Sequence, residues 1–107
     1  MKFSVAVTQD ALRDLDELHA YIAGQDGLAR ADKVLDGVHA ALAKLRDLPN
    51  RGEYPPELAA LGIRDFRQAH FKPYRMIYVV REHSVVILAV IDGRRDMQTL
   101  LQRRLLG

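Results

Sequence analysis

"VVILAVIDGRRDM", Val85 to Met97, decides how this chain folds. Its first seven residues are apolar without alternation, so a strand built from them is apolar on both faces. Such a strand lies mid-sheet with cover on each side. The rest of the chain has to supply that cover.

One cover is easily found upstream. Leu28, Ala31, Leu35, Val38, Leu42 and Leu45 recur at helical spacing, and Val34 and Ala41 widen the stripe. Before it, Ala11, Leu15, Leu18 and Ile22 form a second helical stripe, opened by Thr8 as N-cap and closed near Gly24. The link "GQDG" is short, so the two helices form an antiparallel hairpin. Lys2 to Val7 reads as a strand, and "LPNRGEYPPELAALG" (48–62) as a loop punctuated by Pro and Gly.

Downstream, Ile63 to Phe71 and Tyr74 to Arg81 read as strands, and "REHS" turns the second into Val85–Ile91. The fold class is α+β. An N-terminal strand and a helix hairpin precede a three-stranded antiparallel meander and a short C-terminal helix (β-α-α-β-β-β-α), with the helices packed on one sheet face. The other face is either capped by the tail after Met97 or offered to a partner.

The chain has 107 residues, 49% of them hydrophobic and 28% charged. One domain spanning 1–107 fits that length. No apolar run approaches the roughly 20 residues that cross a bilayer, so no membrane role is expected. The N-terminus lacks a signal peptide's apolar region, and there is no cysteine, which together suit the cytoplasm. The net charge of +2 is unevenly spread. Residues 1–63 carry 7 Lys/Arg against 10 Asp/Glu, whereas residues 64–107 carry 9 against 4. A basic half suits either an anionic partner or a solvated surface.

Metal and cofactor chemistry find little support. His19, His39, His70 and His83 show no ligand spacing, no glycine-rich phosphate loop occurs, and Ser4 and Ser84 lie in no nucleophile elbow. No metal or cofactor is therefore expected. The arginines are more informative. Arg64, Arg67, Arg75 and Arg81 lie on or beside the strands, and Arg94 and Arg95 follow the last one. They either hold phosphates or carboxylates bidentately or, at Arg94 and Arg95, pair with Asp92 or Asp96 to close the strand.

The stretches "MKFSVAVTQDALRDLDELHAYIA" (1–23), "KPYRMIYVV" (72–80) and "VVILAVIDGRRDM" (85–97), followed by a short basic-apolar tail, resemble the RelE/ParE toxin superfamily of bacterial toxin–antitoxin modules. The resemblance covers nearly the whole chain. It implies one of two activities: RelE-like members cleave mRNA in the ribosomal A site, and ParE-like members poison DNA gyrase. Arg75 and Arg95 fall where RelE-like enzymes keep arginines, with Arg67 and His70 as further candidates for that chemistry. Phe66 and Gln68 stand near the expected lysine positions, and Leu101 near the catalytic tyrosine. Asp92 stands where many relatives have His. The tail "MQTLLQRRLLG" has no Tyr, His, Asp or Glu to move a proton.

The expectation is therefore a ParE-like toxin that inhibits gyrase by binding and is neutralised by a cognate antitoxin. An mRNA endonuclease and a weakly toxic antitoxin binder are the alternatives. Binding falls to Arg64, Arg67, Arg75, Arg81, Arg94 and Arg95, and to the tail through Met97, Leu100, Leu101, Arg103 and Arg104. The antitoxin is expected to offer an apolar, acid-bearing segment and to carry any sequence-specific DNA binding itself.

Overall fold

The computed structural model describes residues 2–107. β1 (Ser4–Val7) is followed by α1 (Gln9–Asp26), α2 (Leu28–Ala43) and a 3₁₀ turn at Lys44–Arg46. A short helix α3 (Pro56–Ala59) precedes β2 (Arg67–Phe71), β3 (Tyr74–Arg81) and β4 (Ser84–Asp92). The chain closes with α4 (Met97–Leu101) and a wider π-type turn, Gln102–Leu106. No described helix is long and apolar enough to cross a membrane.

The hairpin forms for the reasons the sequence offers. Thr8 Oγ1 accepts the Ala11 N–H at 3.2 Å, satisfying one free donor of the first turn. α1 runs past Gly24 to Asp26, and Gly27, at φ 94°, makes the turn into α2 in a conformation disfavoured for other residues. Ala11, Leu15 and Ile22 of α1 and Ala31, Val34, Val38 and Leu42 of α2 are buried.

The sheet order is β1-β4-β3-β2. β2, β3 and β4 form the antiparallel meander, and β1 adds to β4 in parallel, with Val5 opposite Val85. β4 is thus an inner strand, as its unbroken apolar run requires. One face, carrying Met76, Tyr78, Val85, Ile87 and Val90, packs under the hairpin. Phe71 lays its ring against α2 at Gly37, where any Cβ would collide with it.

The opposite face is covered as well. Ile77, Ala89 and Ile91 pack with Leu58 of α3 and with Met97 and Leu101 of α4, while Ile63, Phe66, Leu100 and Leu105 fill the margin. Of the two outcomes left open for this face, the tail caps it. Two further differences from the sequence reading are local. The Pro-rich 48–62 stretch contains α3, because Pro56 suits a first helical turn, where its missing N–H costs nothing. The strand read from Ile63 begins only at Arg67, since Ile63 and Phe66 are drawn into the second core.

Leu88 is an extra residue in β4: Ile77 faces Ala89 and Tyr78 faces Ile87. This bulge matters because it sits where β1 ends and α1 begins. Among the described residues, no strand lies beside β4 beyond Ile87 on the side turned away from β3.

Candidate functional site

The buried polar residues lie on β2 and β3. Arg75 of β3 is 9% exposed and Gln68 of β2 is 2% exposed. Arg75 makes a bidentate pair with Glu57 of α3, at 2.7 and 2.9 Å, and its Nε donates to Gln68 Oε1 at 2.7 Å. Every described polar contact of this guanidinium is internal. Hydrogen bonding to Arg75 holds the Glu57 carboxyl below its ordinary value of 4.5. The arginine stem packs over Gly93, where a Cβ would lie 2.8 Å from Arg75 Cδ. The glycine of the "DGRRD" turn thus makes room for the clamp.

Next to the clamp, Glu53 accepts from Gln68 Nε2 at 2.9 Å and pairs with His70 Nε2 at 2.8 Å. Those contacts, His70 first, lower the Glu53 pKa. Arg67 turns the other way, donating to the Gly52 carbonyl at 2.8 Å and to the Tyr54 hydroxyl at 3.2 Å. Its guanidinium lies 4.6 Å from the centroid of the Tyr54 ring, a cation–π arrangement. The Tyr78 hydroxyl donates to the Pro49 carbonyl at 2.8 Å and accepts the Gly52 N–H at 3.0 Å, which fixes the same loop.

A second locus lies at the far end of β4. Asp14 of α1 accepts the Val90 N–H at 3.0 Å and makes a bidentate pair with Arg104 at 3.0 and 3.1 Å. Arg104 also donates to the Leu88 carbonyl at 3.1 Å. The backbone groups beside the bulge are thereby satisfied by one side chain from α1 and one from the tail. At the strand's end Asp92 holds Arg94 through both oxygens, at 3.0 and 2.7 Å. That contact depresses the Asp92 pKa. Asp96 caps α4 by accepting from the Thr99 N–H and hydroxyl, so the strand-closing reading applies to Arg94 and Asp92.

Between these clamps a cleft of about 550 Å³ opens among α1, the end of β4 and α4. Leu18, Val90, Ile91 and Leu100 supply apolar lining, and Tyr21 and Tyr74 supply aromatic lining. Glu17 stands on the α1 wall; Arg94 and Arg95 stand at the strand end. Arg95 is exposed and has no described side-chain hydrogen bond or ion pair. Burial, reinforced by Asp92, pushes the Tyr74 phenol above its ordinary value of 10.0, so it stays protonated at neutral pH.

The expected site residues thus separate. Arg94, Arg95, Leu100 and Arg104 line one cleft. Met97 and Leu101 are core residues, and Arg75 is enclosed by its clamp. Arg64, Arg81 and Arg103 are exposed, and none of them lines the cleft. Asp14, Glu57 and Tyr21 did not stand out in the sequence, each being an unremarkable helix or loop residue until the fold supplies its surroundings; Gln68 stands out there only by its place near an expected lysine. Among the described residues, no group of three His, Asp or Glu side chains is placed to hold a metal.

Comparison with known proteins agrees with this architecture. Residues 5–97 match the model of the ParE toxin of the type II toxin–antitoxin system parDE. The chain is 26% identical over 97 residues to Toxin ParE3 of Caulobacter vibrioides, covering 91% of this chain and 93% of that protein. The fold resembles the chromosomal ParDE toxin–antitoxin system of P. aeruginosa, with a TM-score of 0.71 at 19% identity, over 85% of this chain and 96% of that one. It also resembles the RelBE2 toxin–antitoxin complex of Mycobacterium tuberculosis, with a TM-score of 0.55 at 28% identity, over 86% and 92%. With its helix hairpin, β2 to β4 and all of β1 but Ser4 inside the family match, the chain belongs to the ParE toxin family of type II toxin–antitoxin systems.

Proposed function

We propose that this toxin acts in the ParE manner, inhibiting DNA gyrase by binding, and that a cognate antitoxin neutralises it. The observation that carries this reading is the enclosure of Arg75 by Glu57 and Gln68. A phosphate entering there would have to displace a bidentate carboxylate from a buried guanidinium, an exchange that leaves Glu57 charged and unpaired. Cleavage of RNA by its own 2′-hydroxyl also needs a group that exchanges protons near neutral pH. Tyr74 is held protonated, the tail offers no titratable group except arginine, and His70 pairs with Glu53 outside the cleft that holds Arg95. Arg95 alone supplies charge without an acid–base partner.

What remains exposed suits binding: a cleft with apolar, aromatic and mixed-charge lining, in which Arg95 is exposed. Purified chain added to gyrase is expected to block supercoiling and to accumulate cleaved DNA. Unimpaired supercoiling at large molar excess, together with transcripts cut in the reading frame of a translating extract, would refute the proposal and favour the endonuclease.

A further inference from the structure

Strand direction decides which residues gather at each end of the sheet. β1 runs parallel to β4 and β3 antiparallel to it, so the starts of β1, β4 and β2 meet the finish of β3. The segment after α2 crosses that end. Phe3 N–H donates to the Arg46 carbonyl at 2.9 Å, and Gly52 N–H donates to the Tyr78 hydroxyl at 3.0 Å. Ser4 N–H donates to the His83 carbonyl at 3.0 Å, which joins the β3–β4 turn to the same rim. Lys44 and Arg51 share a hollow of about 320 Å³ beside β2. The backbone thus brings Lys44, Arg46, Arg51, Arg67 and Arg81 to one end of the molecule, away from the cleft where β4 finishes. Among the described residues, none of these five makes an ion pair. Arg67 donates only to the Gly52 carbonyl and the Tyr54 hydroxyl, both neutral, so its charge is not cancelled. Five cations stand there against Asp47 and Glu82, a net +3. Arg64 and Asp65, just before β2, offset each other, and Glu53 is held by His70 and Gln68. Like charges gathered at one surface oppose compaction, so stability of the fold does not explain this rim.

We propose that this rim binds the phosphate backbone of duplex DNA without reading its sequence. Four strands spaced about 4.8 Å apart make a margin of about 14 Å. A duplex presents about eight phosphates over that length, one charge for every ~1.7 Å. The aromatic rings at this end are already engaged: Arg67 lies 4.6 Å from the Tyr54 centroid, and Phe3 meets His83 edge-on. Single-strand binders depend on rings free to stack bases, so a cationic rim with engaged rings suits paired strands. α1 carries one arginine and five acids, a net −4, and a polyanion repels it. The charge distribution therefore turns the rim towards DNA and the α1 wall of the cleft away from it. The choice of DNA among polyanions rests on the proposed activity, since gyrase holds a DNA duplex. In that setting the rim adds a contact to the DNA itself and leaves the cleft free.

The probe is a fluorescein-labelled DNA duplex of random sequence, titrated with the full chain and followed by anisotropy with no gyrase present. Binding is expected in the micromolar range at about 50 mM salt, weakening about tenfold for each doubling of salt. That corresponds to a log–log slope of about −3 to −4, the release of about four counterions. Arg46→Gln and Arg51→Gln should each make the slope shallower by about one. Arg30→Gln removes the same charge at the start of α2, about 20 Å along the helix from Lys44, and should leave the slope unchanged. All three positions are exposed, and unchanged helix content with cooperative unfolding would show that the variants fold. Absence of binding at about 50 mM salt, equal slopes in the three variants, or tighter binding of single-stranded RNA would overturn the proposal. Blocked supercoiling without DNA binding would remove this inference alone. DNA binding with unimpaired supercoiling would keep the rim and remove the gyrase reading.

Discussion

The two faces of this sheet are closed by different means. Under the hairpin, two helices of 18 and 16 residues bring continuous apolar stripes against Met76, Tyr78, Val85 and Ile87. On the other face the covering pieces are α3 and α4, with four and five residues. Helices that short have little cohesion of their own, since nucleation costs more than a few bonds return. Each is tied down by a partly buried arginine: Arg75 holds α3 through Glu57, and Arg104 holds the tail through Asp14. Where the secondary structure is long, apolar burial suffices; where it is short, directional ionic contacts take over.

The largest expected effect tests the apolar side of that contrast. Ile87→Ala should cost about 4 kcal/mol, the upper range for a fully buried aliphatic side chain beneath two helices. The loss should appear as one cooperative transition in urea. Leu101→Ala, equally buried but in α4, should cost about 2 kcal/mol. Hydrogen exchange should show that the loss falls first on residues 97–106. Equal costs with a single global transition for both would break the contrast.

Next comes the clamp on α3. Glu57→Ala leaves a guanidinium that is 11% exposed without its counter-charge, and should cost about 3 kcal/mol. Arg75→Met combined with Glu57→Leu should recover most of that loss, because a buried ion pair and a well-packed apolar pair are often close in stability. The same pair sets a pH dependence. Glu57 titrates below 4.5 in the folded protein, so its contribution is complete above that value and disappears as pH falls through the lower, folded pKa. Measured by urea unfolding, the stability gap between the native chain and Glu57→Gln should therefore close on acidification. A gap that stays constant from pH 7 to about pH 3 would mean that the clamp acts through shape alone.

The contrast also explains what the sequence discloses. Hairpin, meander and central strand are legible because their signals are periodic: stripes at three and four residues, and an apolar run too uniform for an edge. The parallel placement of β1 is not legible, since "FSVAV" is compatible with either sheet edge. The candidate site is legible only as residue types. Arg75 and Arg95 look alike in the sequence, yet one is enclosed and the other solvent-facing. Their difference depends on Glu57, in a segment whose prolines conceal a helical turn, and on Gly93, which leaves room for the Arg75 stem. Pairings across 18 residues, as in Arg75–Glu57, or across 90, as in Arg104–Asp14, have no local period to betray them.

The smallest effect concerns Asp14, where the two modes of closure meet. Asp14 belongs to the hairpin, but its carboxylate reaches past the bulge to Val90 N–H and to Arg104 of the tail. Asp14→Asn keeps an oxygen for Val90 and removes the charge that attracts Arg104. The pair is only partly exposed, at 17% for Asp14 and 24% for Arg104, so solvent screens it incompletely. The expected cost is about 1–2 kcal/mol, the range of a charge-assisted hydrogen bond. Its distribution is more telling than its size. If the tail is an independently closed element, exchange should quicken at residues 100–106, while the amides of β3 and α2 keep their protection. Uniform loss of protection would instead make Asp14 a joint of the whole fold. The hairpin would then sense whether the tail is docked, and the two faces would open together.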